Sequence, residues 1–317
     1  MGKKVLIIIL SLLLILSTFV FDLSKAEAFE KKDLLVPKDE VSERIIKIPK
    51  GNETIVGTLT IPPNATKPCK VLLMLHGFAG QRNELPITNS NETMFGKSAR
   101  IFTEQGYATL RIDFLGCGDS SEKWENTTFT RQISDVDAVL KYLKCIPEID
   151  SKGIALLGLS QGGLIAACVA STNPMIKSLI LWSPVANPPY TYSNLLGSNA
   201  IQEGLQSQNK LITAKLPWGA ETTLRSEFFK ELFDIDPIAQ ITSYRGPLQV
   251  VVGLNDAIVT PQPQAGELYI KNHHDMKNVK DEIIKLDADH MLDITTDNRE
   301  PLNEALWQGI KWLDKTL

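Results

Sequence analysis

Ser160 stands in Gly158-Leu-Ser160-Gln-Gly162, between a short apolar run at 154–157 and a small-residue helical stretch at 164–170. A serine on a sharp strand-to-helix turn sits in a strained backbone with its hydroxyl pushed outward. Glycines two residues to either side leave room where a Cβ would collide with a neighbouring strand or helix. The helix that opens after Ser160 also aims unpaired N–H groups and a positive dipole end at the spot where negative charge would develop. The chemistry this suggests is nucleophilic attack, and a serine hydroxyl then needs a base and a third group to orient that base.

Four histidines are available. His76 lies upstream, in His76-Gly77-Phe78 after an apolar run. His273 and His274 lie in a polar stretch, 271–277, and read as a solvated surface pair. His290 directly follows a strand-like run, in Asp287-Ala-Asp289-His290, and is the general base expected. For the acid, Asp256 in Gly253-Leu-Asn-Asp256-Ala-Ile-Val259-Thr-Pro261 follows the preceding strand-like run. A carboxylate there can reach Nδ1 of His290 and fix its tautomer. Asp287 and Asp289 compete for this role, but so close to His290 they would need a tight local bend.

These residues must be carried by an ordered frame. Runs at 44–48, 54–61, 71–76, 108–113, 154–157, 178–182, 248–253 and 282–286 have strand character, and helical periodicity marks 95–105, 131–144, 262–272 and 304–315. Alternating strands and helices of these lengths imply an α/β fold with a mostly parallel sheet covered on both faces. Right-handed crossovers then bring the loops that follow each strand to one edge, where ligands bind in such sheets. The stretch 184–247 breaks the alternation, shows no clear core strand and carries many aromatics. It reads as a cap over the site, with partial helices at 200–208 and 223–233. Domain boundaries follow: a leader at 1–28, a core at 29–183 and 248–317, and the insertion at 184–247.

The leader combines Lys3 and Lys4, an uncharged, mainly apolar run at 5–21, and small residues at Ala26 and Ala28. This pattern matches a secretory signal cleaved after Ala28, and left uncleaved it would anchor the chain to a membrane. Either way the folded part works outside the cytoplasm. A net charge of −4 and the lack of any long Lys/Arg run argue against a nucleic-acid partner. The chain has neither a metal-binding Cys/His spacing nor a phosphate-cradling loop, and no metal or cofactor is implied.

The chain order Ser160, Asp256, His290 is that of an α/β-hydrolase. Together with His76-Gly77-Phe78 and the loop Arg111-Ile-Asp113-Phe-Leu-Gly116-Cys-Gly118-Asp-Ser120, it resembles the α/β-hydrolase superfamily across about 53–317, most of the cap aside. Within that superfamily it is most similar to bacterial cinnamoyl (feruloyl) esterases, with Arg82-Asn83 adding to the likeness. It departs from them at Cys117 and through the cap. The resemblance implies an oxyanion hole built from the backbone N–H groups of Phe78 and Gln161, with His76 and the 113–120 loop in supporting roles. It implies a secreted serine esterase whose small-molecule substrate is a hydroxycinnamate or similar ester. An aminopeptidase, lipase or thioesterase on the same frame stays open, as does a catalytically silent binding protein. Acids clustered in the cap, among Glu203, Glu221 and Glu227, would favour a peptidase.

Overall fold

The computed structural model describes residues 42–63, 65–274 and 279–317. The leader at 1–28 therefore lies outside the described residues. Two nine-residue strands, β1 (Ser42–Lys50) and β2 (Glu53–Ile61), form an antiparallel hairpin around Gly51. The parallel part follows with β3 (Cys69–Leu75), β4 (Ala108–Ile112), β5 (Ile149–Leu159), β6 (Ile176–Trp182), β9 (Leu248–Gly253) and β10 (Glu282–Leu286). These eight strands make one sheet in the order β1-β2-β4-β3-β5-β6-β9-β10, with parallel pairing from β4 to β10. Central strands are buried on both faces, so Val71 to Leu75 and Ile154 to Leu157 are apolar without alternation. Strand β5 starts five residues before the run legible at 154. Its polar beginning, Asp150-Ser-Lys152, is tied to β3 through Ile149 opposite Cys69, and the register then shifts.

Helices α1 (Met94–Glu104), α2 (Phe129–Leu143), α3 (Gln161–Thr172), α8 (Gln264–Asn272) and α9 (Glu300–Thr316) cross over between strands or follow the last one. Helix α1 packs with α9, while α2 packs on α3 and α8 on β9. Threonine side chains cap the first two helices: Thr93 Oγ1 accepts from Gly96 N and Thr128 Oγ1 from Arg131 N. Helix α3 differs in having no side-chain cap. It is also nearly apolar all round, and Gln161 through Ala170 are buried.

Between β6 and β9 lie α4 (Pro188–Leu196), α5 (Ser198–Gln206), α6 (Ser226–Asp234) and α7 (Pro237–Ile241). The same segment holds a separate two-stranded antiparallel sheet, β7 (Leu211–Lys215) with β8 (Glu221–Arg225). The Pro188-Pro189 pair opens a helix, because proline is tolerated in a first turn where no N–H is needed. One feature departs from the sequence reading. The helix expected from 223 starts at Ser226, since Thr222 and Leu224 turn inward from a strand. Aromatic rings join the insertion to the frame: Tyr192 and Phe228 lie 5.4 and 5.9 Å from Phe78, and Phe228 stacks on Phe129 at 5.0 Å.

Candidate active site

Strands β3, β4, β5, β6, β9 and β10 run the same way, so their C-terminal ends share one edge of the sheet. Ser160 stands there between β5 and α3, 7% exposed, with φ 55° and ψ −115°. That is a left-handed conformation costing about 1–3 kcal/mol for a residue with a side chain. It is held by Ser160 N donating to Trp182 O at 2.8 Å and by Ser160 O accepting from Gly163 N and Leu164 N. The close approaches are absolute: a Cβ on Gly158 would overlap the Gly162 carbonyl, and one on Gly162 would overlap the carbonyl of Leu75. The turn points the hydroxyl away from the first turn of α3, where an N-cap serine would ordinarily accept a backbone N–H. The hydroxyl is thereby left available for other partners.

Asp256 and His290 come from the loops after β9 and β10. Leu254 N donates to Leu286 O and Asn255 N to Ala288 O, which zips the two loops together. Asp256 Oδ1 accepts from the N–H groups of Ile258 and Val259 at 2.7 and 2.9 Å, and Oδ2 lies 2.7 Å from His290 Nδ1. The carboxylate is wholly buried, whereas the imidazole keeps 12% of its side-chain surface exposed. With Nδ1–H donating to Asp256, the Nε2 lone pair is the free one. Asp287 and Asp289 are engaged elsewhere. Asp287 Oδ1 accepts from Asn255 Nδ2, and Asp289 Oδ1 accepts from Met291 N and Asp293 N to turn the chain behind His290.

The loop after β3 passes directly beside the serine: a Cβ on Gly77 would stand 3.4 Å from that of Ser160. His76 is fully buried and braces this loop. Its Nε2 accepts from Phe114 N at 3.2 Å, which makes Nδ1 the protonated nitrogen that donates to Gly77 O at 2.8 Å. Burial pushes the imidazole down to about 4, against the hydrogen bond to Gly77 and the attraction of Asp113. Arg82 ties the loop to the one after β4: its backbone N donates to Asp113 Oδ1 at 2.6 Å and its guanidinium pairs with both Asp113 and Asp119. The N–H groups of Phe78 and Gln161 donate to no acceptor among the described residues. The Gln161 side chain is pinned by Gln132 at 2.7 Å and by the buried Tyr192 hydroxyl, which fixes the start of α3.

Ser160 and His290 line one cavity of about 1120 Å³. No hydrogen bond joins hydroxyl to ring among the described residues; such bonds tighten in the Michaelis complex. The inserted segment contributes Leu195, Leu216, Trp218 and Glu221 to the wall, opposite Phe78 and Trp124 of the frame. The hairpin is clamped to the frame by Trp124 Nε1 donating to Thr222 Oγ1 at 2.9 Å and Arg225 Nε to Asn126 Oδ1 at 3.0 Å.

Comparison with known proteins agrees with this topology. Residues 70–202 match the family model described as alpha/beta hydrolase fold. Among solved structures, Est1E from Butyrivibrio proteoclasticus, holding ferulic acid, superposes with a TM-score of 0.65 at 22% identity, over 86% of this chain and all of that one. The esterase domain of a Rhodothermus marinus protein gives 0.62 at 22%, over 87% and 99%. This is an α/β-hydrolase fold. A curated relative, an uncharacterized 31.7 kDa protein of Escherichia coli, is 26% identical over 172 residues, so the match spans 54% of this chain and 57% of that protein.

In this α/β-hydrolase fold two polar residues are buried where their local sequence does not mark it. His273 is buried instead of solvated: its Nδ1 lies 2.6 Å from Asp281 Oδ2 and its ring lies against Tyr244, while His274 is exposed. The polar residues around it in sequence conceal a partner eight positions on. The second is Glu84, only 7% exposed, whose Oε1 accepts the Gly77 N–H at 2.5 Å beside the serine. Nothing in its local sequence separates it from a solvated loop acid.

Proposed function

We propose that this chain is a serine hydrolase that cleaves carboxylic esters through an acyl-enzyme. The observation that carries the reading is the Asp256–His290 pair at 2.7 Å on the cavity that Ser160 lines at its strained turn. Ser160 Oγ attacks the ester carbonyl carbon as His290 Nε2 takes its proton, and Asp256 stabilises the imidazolium that forms. Negative charge on the former carbonyl oxygen falls between the Phe78 and Gln161 N–H groups, each worth about 2.7–4 kcal/mol to a transition state. Collapse expels the alcohol, protonated by His290. Water then attacks the acyl-Ser160 by the same route, with His290 as base and Ser160 as leaving group.

The wall supports an aromatic or otherwise apolar ester over a charged one. Phe78, Trp124, Leu195, Leu216 and Trp218 supply flat and apolar surface. Of the insertion's acids that would mark an amine-binding peptidase, Glu203 pairs with Lys210 at 2.6 Å, Ser226 Oγ donates to Glu227, and only Glu221 lines the wall; Glu84, Glu125 and Asp289 line it from the frame. Hydroxycinnamate esters fit this surface, and a ferulic-acid complex exists for the similarly folded Est1E. The apolar leader places this activity outside the cytoplasm in our reading.

Fluorophosphonate labelling of the wild type, lost in Ser160→Ala, tests the nucleophile. Nitrophenyl esters, methyl ferulate and amino-acid nitroanilides test the bond. Turnover of esters with at least about a 10³-fold loss in Ser160→Ala is expected. A folded wild type that is neither labelled nor active on any ester would sink the proposal.

A further inference from the structure

Glu84 is a buried acid in an unfavourable place. Its backbone is left-handed, φ 58°, a conformation that glycine adopts freely and glutamate does not, and its own N–H closes a turn onto Gln81 O at 2.8 Å. The carboxyl reaches back into the turn that carries Phe78. It takes the Gly77 N–H at 2.5 Å and occupies the space where a Cβ on Gly80 would sit. Gly77 thus lies between two groups, its Cβ position 3.4 Å from Ser160 Cβ on one side and 3.6 Å from Glu84 Oε1 on the other. Its carbonyl is held as well, by His76 Nδ1 at 2.8 Å and Gly80 N at 3.2 Å. Both polar groups of Gly77 are therefore fixed, and the next N–H along, that of Phe78, is the one left to donate.

We propose that Glu84 is a positioning residue: by carrying the Gly77 N–H it holds the following peptide so that the Phe78 N–H serves the oxyanion above Ser160. This rests on the ester-hydrolase reading and assigns the device that shapes half of its oxyanion hole. Charge enters too. Among titratable groups, His290 from the loop after β10 and Cys117 from the loop after β4 lie within electrostatic reach of the carboxyl, and Asp289 lines the same cavity. Burial pushes Glu84 up to about 7, against the Gly77 hydrogen bond and the attraction of His290.

The experiment compares Glu84→Ala and Glu84→Gln with wild type by kcat and KM on one nitrophenyl ester, alongside fluorophosphonate labelling. Glu84→Ala should lose roughly 30-fold or more in kcat with KM within about threefold, as for a misplaced oxyanion donor. Glu84→Gln keeps an acceptor for Gly77 N–H and should restore kcat to within about fivefold of wild type. With wild type active and labelled, an alanine variant within twofold in kcat overturns the assignment. So does a glutamine variant that rescues nothing. If the alanine variant does not fold, Glu84→Gly replaces it, relieving the left-handed backbone while removing the same carboxyl. A wild type with neither turnover nor labelling overturns both this inference and the reading beneath it.

Discussion

At the scale of single residues, the site depends on satisfied acceptors that leave one lone pair free. Asp256 spends one oxygen on the N–H groups of Ile258 and Val259 and the other on His290 Nδ1, so its carboxylate cannot rotate away from the ring. An amide at this position can present N–H to Nδ1 and favour the wrong tautomer, with the free lone pair on the buried side. Asp256→Asn should therefore cost about 10³–10⁴-fold in kcat while KM moves little. Steady-state kinetics on a nitrophenyl ester would show it. A loss under tenfold would mean that His290 is not oriented by this carboxylate.

Elements supply the precision that residues cannot supply alone. The entry to α3 works because β5, α3 and the end of β3 approach with no side chains between their backbones. Gly162→Ala forces a methyl onto the Leu75 carbonyl. A destabilisation of ~3 kcal/mol or more in urea unfolding is the expected outcome. A change under 1 kcal/mol would show that the turn can relax. The β7–β8 hairpin is the opposite kind of element, small and bound to the frame by side chains. Its turn exposes Trp218, 59% accessible, at the cavity wall. Trp218→Ala is expected to raise KM for an aryl ester such as methyl ferulate about 3–10-fold and to leave that of a short acetate ester within about twofold. Equal changes in both would remove the hairpin from substrate recognition.

For the molecule as a whole, two buried groups near the site pull stability in opposite directions with pH. His76 stays neutral in the fold down to about 4, against an ordinary value of 6.5. The unfolded chain binds that proton first, so this contribution is lost as pH falls through that window. Glu84 holds its proton up to about 7 against an ordinary 4.5, so its contribution is present at low pH and lost as pH rises between those values. Over the shared range the two slopes oppose each other. Glu84→Gln removes the second slope, and the variant should gain on wild type from pH 5 to pH 8 by about 1–3 kcal/mol. Urea unfolding at the two pH values would measure it. A difference between the proteins that does not change with pH would contradict buried ionisation at Glu84.

The alternation of strand and helix, the edge on which loops collect and the turn at Ser160 were legible in the amino-acid order, because period, glycine spacing and strand-to-helix context are local properties. Closeness in sequence to His290, which would demand a tight local bend, also ranked Asp287 and Asp289 behind Asp256. Residues 211–225 hid a hairpin because five-residue strands that bury one face against an insertion carry too little pattern to stand out. His273 and Glu84 look like solvated polar residues until distant chain covers them. Which acid becomes buried and which aromatic faces the cavity depend on contacts between segments tens of residues apart. Those contacts, made by packing and by nothing in the local order, were decided by the tertiary structure.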